Sequence, residues 1–275
     1  MLFTPVQKIL IYKYILLKES NTRFVGKVLF DLPKVPSTNI YALELLSKTK
    51  PVEGTVISTY NQTHGRGQIG SSWESAPGKN LSLSFIFYPF FLAPVRQFML
   101  GKIFALAARD LVNTHLPANM PAFIKWPNDI IVNGRKVGGI LVQNSIQGNT
   151  LQFSVGGVGL NVNQQDFKEY FPPATSLLNE SGISCSLETL RDELCALVEV
   201  YYDTLRSGDY AAIDHLYLQH LLMLDQPAIF QRQIDQVVFE GKIRGITETG
   251  TLIIEHGNTQ ENFGFKEIRL LTFSK

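Results

Sequence analysis

Along this chain, short runs of alternating apolar and polar residues are interrupted by stretches of helical spacing. Val28 to Leu32 reads as a strand, and Ser37 can cap a helix from about Thr38 to Lys48, with Tyr41, Leu45 and Leu46 on its apolar side. Gly54 to Tyr60, rich in Val, Ile, Thr and Tyr, reads as a second strand. Leu81 to Tyr88 is a longer one, in which Leu81, Leu83, Phe85 and Phe87 alternate with Ser82, Ser84, Ile86 and Tyr88. Pro94 opens a helix to about Asn113, with Phe98, Ile103, Phe104, Leu106 and Ala107 at helical spacing. A short strand over Ala122 to Trp126 precedes a hairpin turning at Asn133-Gly134, a pair that supplies the two positive-φ positions of a type I′ turn. Val137 to Ile146 and Leu151 to Val158 form a second hairpin around Gly148-Asn149. Leu187 to Arg206 is an amphipathic helix, and Tyr210 to Leu218 extends the helical region.

From about Met223 the pattern changes. Ala228 to Gln231, Gln236 to Thr247, Thr251 to Glu255, Gln260 to Gly264 and Ile268 to Leu271 are five short strands between tight turns, the signature of a small barrel or sandwich. A domain boundary is therefore expected near residue 222, separating a larger α+β part, 27–222, from a small β domain, 223–275. Met1 to Leu17 is apolar but broken by Lys13, with no small-residue cleavage site after it, so residues 1–26 read as a poorly packed extension rather than a secretory signal. No stretch reaches the length of a membrane span.

Composition narrows the class. Apolar residues make up 45% and charged residues 18%, values of a globular protein and not of a disordered one. Net charge is +1, so no global field favours nucleic acid or a membrane surface, and any anionic ligand must be held by a local cluster. The two cysteines, Cys185 and Cys195, form no metal-ligand pair and no disulfide framework, which suits a reducing cytoplasm.

Four segments carry candidate chemistry. Asn61 to Asn80 is too long for an ordinary connection, and such loops are usually functional or disordered. Its Gly65, Gly67 and Gly70 let the backbone approach a ligand, and Arg66 offers a guanidinium fork for carboxylate or phosphate. It matches neither the Walker pattern nor the dinucleotide fingerprint, and a surface loop with turn glycines is the competing reading. In Lys125-Trp126-Pro127-Asn128-Asp129 a lysine beside apolar Phe123, Ile124 and Trp126 needs a negative partner. That suits a group balancing charge on a phosphate or carboxylate in a transition state, against the alternative of a snorkelling lysine and a plain turn. Gly138-Gly139 and Gly156-Gly157-Val-Gly159 lie within strands, where glycine marks a bulge or a close ligand approach.

In order and spacing, Ser37-Thr38-Asn39, the Gly-Arg-Gly loop ending at Trp73, Lys125 to Asp129, Lys136-Val-Gly138-Gly139-Ile-Leu and Gly157-Val-Gly159-Leu-Asn161 resemble the biotin–protein ligase family, over residues 28 to 275. The resemblance implies an α+β fold with a mixed, mostly antiparallel sheet of the class II synthetase-like biotin/lipoate ligase type and an SH3-like C-terminal β-barrel. It implies a two-step reaction in which biotin attacks the α-phosphorus of ATP to give biotinyl-AMP, which then acylates an acceptor lysine. Carried over by position, Lys125 and Arg66 are the expected catalytic residues, Lys125 bridging carboxylate and phosphate. Ser37, Thr38, Asn39, Gln62, Gly65, Arg66, Gly67, Gln68, Lys125, Gly138 and Gly139 are expected around biotin. Arg66, Trp73, Lys125, Asn128 and Asn161 are expected around the adenylate, with Trp73 closing over it and Asn161 meeting the adenine. ATP, biotin and Mg2+ are the implied small molecules, the magnesium held mostly by phosphates and waters, so that no residue is assigned to it. The implied partner is the biotin carboxyl carrier domain of a biotin-dependent carboxylase, and an exposed sheet edge could pair two subunits.

The sequence departs from the family in the loop. Many members carry arginine where this chain has Gln68 and further basic residues where it has Ile69, Ser71 and Ser72, which predicts a weaker hold on the intermediate. Some relatives carry an N-terminal DNA-binding module, for which the residues before Val28 are too few and too unpatterned, so a ligase-only form is expected. Two rivals stand beside this reading: a lipoate–protein ligase, sharing fold and chemistry, and a non-enzymatic scaffold whose β domain binds proteins.

Overall fold

The computed structural model describes residues 15–17, 21–68 and 70–272. In chain order these form β1 (Ile15–Leu17), β2 (Val28–Leu32), α1 (Thr38–Lys48), β3 (Thr55–Thr59), β4 (Gly65–Arg66), β5 (Ser72–Trp73) and β6 (Asn80–Phe87). A 3-10 turn over Pro94–Arg96 leads into α2 (Phe98–Thr114), then β7 (Phe123–Lys125), β8 (Asp129–Val132), β9 (Arg135–Gln147) and β10 (Thr150–Asn161). Three helices follow, α3 (Leu177–Ser181), α4 (Leu187–Arg206) and α5 (Tyr210–Gln219). The chain ends in β11 (Pro227–Arg232), β12 (Val238–Ile246), β13 (Leu252–His256), β14 (Thr259–Phe263) and β15 (Ile268–Leu270).

The large sheet runs β1-β2-β3-β6-β10-β9-β8-β7, with β2 and β3 parallel and every other pair antiparallel. The expected hairpin turns are present: Asn133 and Gly134 both take positive φ, while at the second turn Gly148 does so. Strand β6 is buried at all eight positions, because helices cover both faces of the sheet. Its Phe85 and Phe87 rings pack on Phe104 of α2, and Phe87 stacks on Tyr202 of α4 at 4.0 Å. On the opposite face Ile86 joins Ile57, Val155 and Ala42 of α1 in a smaller apolar cluster. The serines of β6 therefore face not water but the space left beside α1.

Part of the expected N-terminal extension, residues 1–14 and 18–20, lies outside the described residues. The rest is held more firmly than a poorly packed extension. The Glu199 carboxylate accepts from the backbone N–H groups of Arg23, Phe24 and Val25 at 2.7–2.9 Å, and Val25 is fully buried. Burial alone would raise the Glu199 carboxyl, yet these donors hold it below the usual carboxylate range. Edge strand β7 is covered as well: Ile124 exchanges backbone hydrogen bonds with His220 and Leu222, which removes that edge from any pairing between subunits.

The five C-terminal strands form an antiparallel sheet in the order β14-β13-β12-β11-β15. Its hydrogen bonding is open: edge strands of five and three residues are too short to close the ladder, and no pairing joins β14 to β15 among the described residues. Phe230, Ile243, Leu252 and Ile254 from this sheet share one apolar cluster with Trp126, Leu222 and the α2 residues. Two contacts fix the sheet against the Lys125–Asp129 segment. Trp126 Nε1 donates to Gly250 O at 2.9 Å, and the Trp126 and Phe265 rings lie 5.4 Å apart. No helix among the described residues is long and apolar enough to cross a membrane.

Candidate functional site

A cavity of about 390 Å³ opens where α1, the loop after β3, the glycine-bearing strands and the C-terminal sheet meet. Strand register organises its floor. Ser82 lies opposite Gly159, Gly159 opposite Gly139, Gly139 opposite Asp129, and Asp129 opposite Lys125. One level along, Ser84 lies opposite Gly157 and Gly157 opposite Leu141. The site is thus polar at the β6 end, bare over β10 and β9, and charged at β8 and β7.

The polar end is a hydrogen-bonded network at the start of α1. Thr38 N–H donates to Gln62 Oε1 at 2.9 Å, tying the helix to the loop. Ser84 Oγ lies 2.7 Å from Thr38 Oγ1 and 2.6 Å from Asn39 Oδ1. The Asn39 amide donates to Leu141 O and Gln143 Oε1 at 3.2 and 3.0 Å. A Cβ on Gly157 would stand 2.3 Å from Asn39 Oδ1, so this asparagine can reach the sheet only because residue 157 is glycine.

At the charged end, Asp129 is held between two lysines: Lys125 Nζ is 3.1 Å from Oδ2 and Lys136 Nζ is 2.5 Å from Oδ1. Burial alone would raise the Asp129 carboxyl. The two ammonium groups outweigh it and hold the carboxyl below its usual range. Two cations sharing one carboxylate leave a net positive site, suited to a second anion. The geometry depends on a bulge. Ile130 pairs with Gly138 but Ile131 pairs with Lys136, leaving Val137 as the extra residue. The reset in alternation brings both Lys136 and Gly139 to the cavity, the lysine stem 3.3 Å from where a Gly139 Cβ would stand.

Trp73 covers the bare middle. Its indole rests on Gly159 and Gly139, where added Cβ atoms would stand 2.6 and 3.3 Å from the ring, and Lys136 Nζ lies 5.6 Å from the ring centre. The loop carrying it is a small antiparallel ladder, Gly65 opposite Trp73 and Arg66 opposite Ser72. Arg66 is exposed and forms no ion pair among the described residues.

Most expected site residues line this cavity: Ser37, Thr38, Asn39, Gln62, Arg66, Gly67, Gln68, Trp73, Lys125, Asn128, Gly139 and Asn161. Gly65 and Gly138 do not. Gly65 lets the loop ladder close, since a Cβ there would meet Trp73 O at 2.4 Å. Gly138 faces the other side of the sheet, where its Cβ would meet Leu160 at 2.5 Å. The Asn128 amide donates to Ile140 O at 2.7 Å and so stiffens β9. The Asn161 amide donates to Thr175 O, leaving its buried Oδ1 without a partner among the described residues.

Sequence reasoning passed over Asp129 and Lys136 as functional groups, and Ser82, Leu141, Tyr170 and Lys266 as cavity lining. The one signal available for the first two is that they flank the hairpin leading into Gly138-Gly139. Among the described residues no group of three His, Cys, Asp or Glu side chains could hold a metal ion.

The family model for the biotin/lipoate A/B protein ligase family matches residues 32–161. The bifunctional ligase/repressor BirA of Bacillus spizizenii is 31% identical over 262 residues, covering 92% of this chain and 77% of that protein. The biotin–[acetyl-CoA-carboxylase] ligase of Paracoccus denitrificans is 28% identical, covering 81% of this chain and 92% of its own length. Among solved structures, the biotin protein ligase of Aquifex aeolicus in complex with biotin and ATP superposes with a TM-score of 0.71 at 23% identity, over 88% of this chain and 97% of that one. At that identity the likeness is one of fold.

Proposed function

Because this chain belongs to the biotin/lipoate A/B protein ligase family, we propose that it is a biotin–protein ligase, joining biotin to a lysine of an acceptor protein at the expense of ATP. The observation that carries the choice of ligand is the polarity of the cavity. Hydrogen-bonding groups of Thr38, Asn39, Gln62 and Ser84 stand at one end and the Lys125–Asp129–Lys136 cluster at the other. From β6 to β8 is three strand spacings, roughly 14 Å. Biotin has the matching distribution: a neutral cyclic urea at one end, a flexible apolar chain, and a carboxylate at the other. Lipoate carries the carboxylate but only an apolar dithiolane opposite it, which offers the polar end nothing to hydrogen-bond.

In the first step a biotin carboxylate oxygen bonds to the α-phosphorus of ATP and the bond to the β-phosphate oxygen breaks, releasing pyrophosphate. In the second, the acceptor amine attacks the acyl carbon, AMP departs, and the amine proton is lost. Both steps gather negative charge on oxygen, so fixed cations dominate. Lys125, aimed by Asp129 from the facing strand, holds the carboxylate against the phosphate. Arg66 on the loop supplies a second cation. Trp73 and the Asn161 carbonyl are the adenylate contacts, the orphaned Asn161 Oδ1 being an acceptor for an adenine amino group. Asp129, held below the usual carboxylate range, is a poor proton acceptor and acts by positioning. Magnesium would supply neutralisation of the phosphate charge, and no side chain of the cavity is assigned to hold it. The acceptor is a biotin carboxyl carrier domain, whose substrate lysine must enter this cavity.

Isotope exchange between pyrophosphate and ATP tests the first step. Exchange is expected with biotin and not with lipoate. Exchange supported by lipoate alone would make the chain a lipoate ligase, and none with either acid would support the scaffold reading.

A further inference from the structure

Ser82 is a buried hydroxyl without a protein partner. Its side chain lines the cavity, it is 3% exposed, and Oγ makes no hydrogen bond among the described residues. A buried polar group left unmade is costly, so such an atom calls for an explanation. Two other serine hydroxyls are buried and unpartnered, Ser58 and Ser154, but neither lines the cavity. Ser82 therefore differs from them in what it can reach.

Its place in the sheet says which part of a ligand it meets. Ser82 stands on the same face of β6 as Ser84, one two-residue step away, roughly 7 Å. Ser84 belongs to the network of Thr38 and Asn39, whereas the cationic cluster begins three strands off at Asp129. On the neighbouring strand, opposite Ser82, Gly159 presents no side chain, and the indole of Trp73 rests on it. Trp73 Nε1 is itself buried without a partner among the described residues, 2.9 Å from where a Gly159 Cβ would stand. Two unpartnered polar atoms thus border one glycine, on the strand next to the uncharged β6 end of the cavity.

We infer that Ser82 is a further substrate-positioning residue, whose hydroxyl hydrogen-bonds the cyclic urea of the bound acid and thereby favours a urea-bearing ring over an apolar one. The inference rests on the reading of the cavity as a biotin site. It separates Ser82 from a structural serine by a sign. Removing a structural hydrogen bond destabilises the free protein and weakens every ligand alike. Removing an orphaned hydroxyl leaves the free protein as stable or more so, and weakens only ligands that pair with it.

The test uses the full chain as wild type, Ser82→Ala and, as a control away from the cavity, Ser154→Ala. Calorimetric titration is made with biotin, with desthiobiotin, which keeps the cyclic urea without the sulfur, and with lipoate. Thermal melts are recorded without ligand. Ser82→Ala is expected to weaken biotin and desthiobiotin by about three- to ten-fold, the worth of one hydrogen bond. Lipoate binding should stay unchanged or tighten, and the ligand-free Tm should hold or rise. Ser154→Ala should leave all affinities as they were. Unchanged biotin affinity in Ser82→Ala overturns the inference. So does a lowered ligand-free Tm with parallel losses for all three acids, or an equal loss in Ser154→Ala. If the wild-type chain binds no biotin, the reading of the site falls and the inference with it; if it binds and Ser82→Ala binds as tightly, the inference alone falls.

Discussion

Lys125→Ala is expected to lower the rate of biotinyl-AMP formation by about 10²–10³, the usual effect of losing one group aimed at developing charge. The fold should survive, because Asp129 keeps its second partner, Lys136, at 2.5 Å. Biotin binding should weaken far less than the rate, since the ring end of the cavity is untouched. Single-turnover formation of the adenylate, measured beside a biotin titration, separates the two effects. Equal losses in affinity and rate would reduce Lys125 to a ground-state binding group.

Asp129→Asn should instead damage stability and activity together. The side chains of Lys125, Asp129 and Lys136 are 17%, 11% and 28% exposed, so removing the shared carboxylate leaves two cations side by side in a poorly solvated place. Breaking a fully buried pair costs more than the about 2–3 kcal/mol expected here, where water reaches Lys136. For a chain of this length that is a fall in Tm of roughly 4–6 °C. The pH dependence has a definite sign. Because the Asp129 carboxyl is held below its unfolded value, its contribution is fully present above that value, near 4, and disappears as pH falls through the folded one. The stability gap between wild type and Asp129→Asn should be widest near neutral pH and close in acid. A gap that stays constant to low pH would mean that the ionised carboxylate is not what stabilises the cluster.

What could be read from the sequence was local. Asn133-Gly134 specified its hairpin through the turn chemistry of two residues, and the spacing of Phe98, Ile103 and Phe104 specified α2. Residues brought together over long separations were harder. Gly138 and Gly139 looked equivalent, and only the bulge at Val137 decides that Gly139 faces the cavity and Gly138 faces Leu160. Lys136 read as a hairpin flank, because its partner Asp129 lies on another strand. Ser82 read as an ordinary polar position in an alternating strand, where a solvent-facing serine would have given the same pattern. The cavity wall contributed by Lys266 and Arg269 was invisible, because nothing in the short C-terminal strands announces that Trp126 Nε1 will bond Gly250 O. Register, bulges and docking between sheets set these contacts, and periodicity within one segment does not report them.

Transfer of biotin through an adenylate is read from the mass of an acceptor. A biotin carboxyl carrier domain with one substrate lysine is incubated with the enzyme, biotin and ATP, and the intact protein and its peptides are weighed. One added biotinyl group is expected on that lysine, none when ATP is omitted, and none when lipoate replaces biotin. An acceptor that stays unmodified by an enzyme with demonstrated biotin and ATP binding, or one that gains a lipoyl group instead, would contradict it.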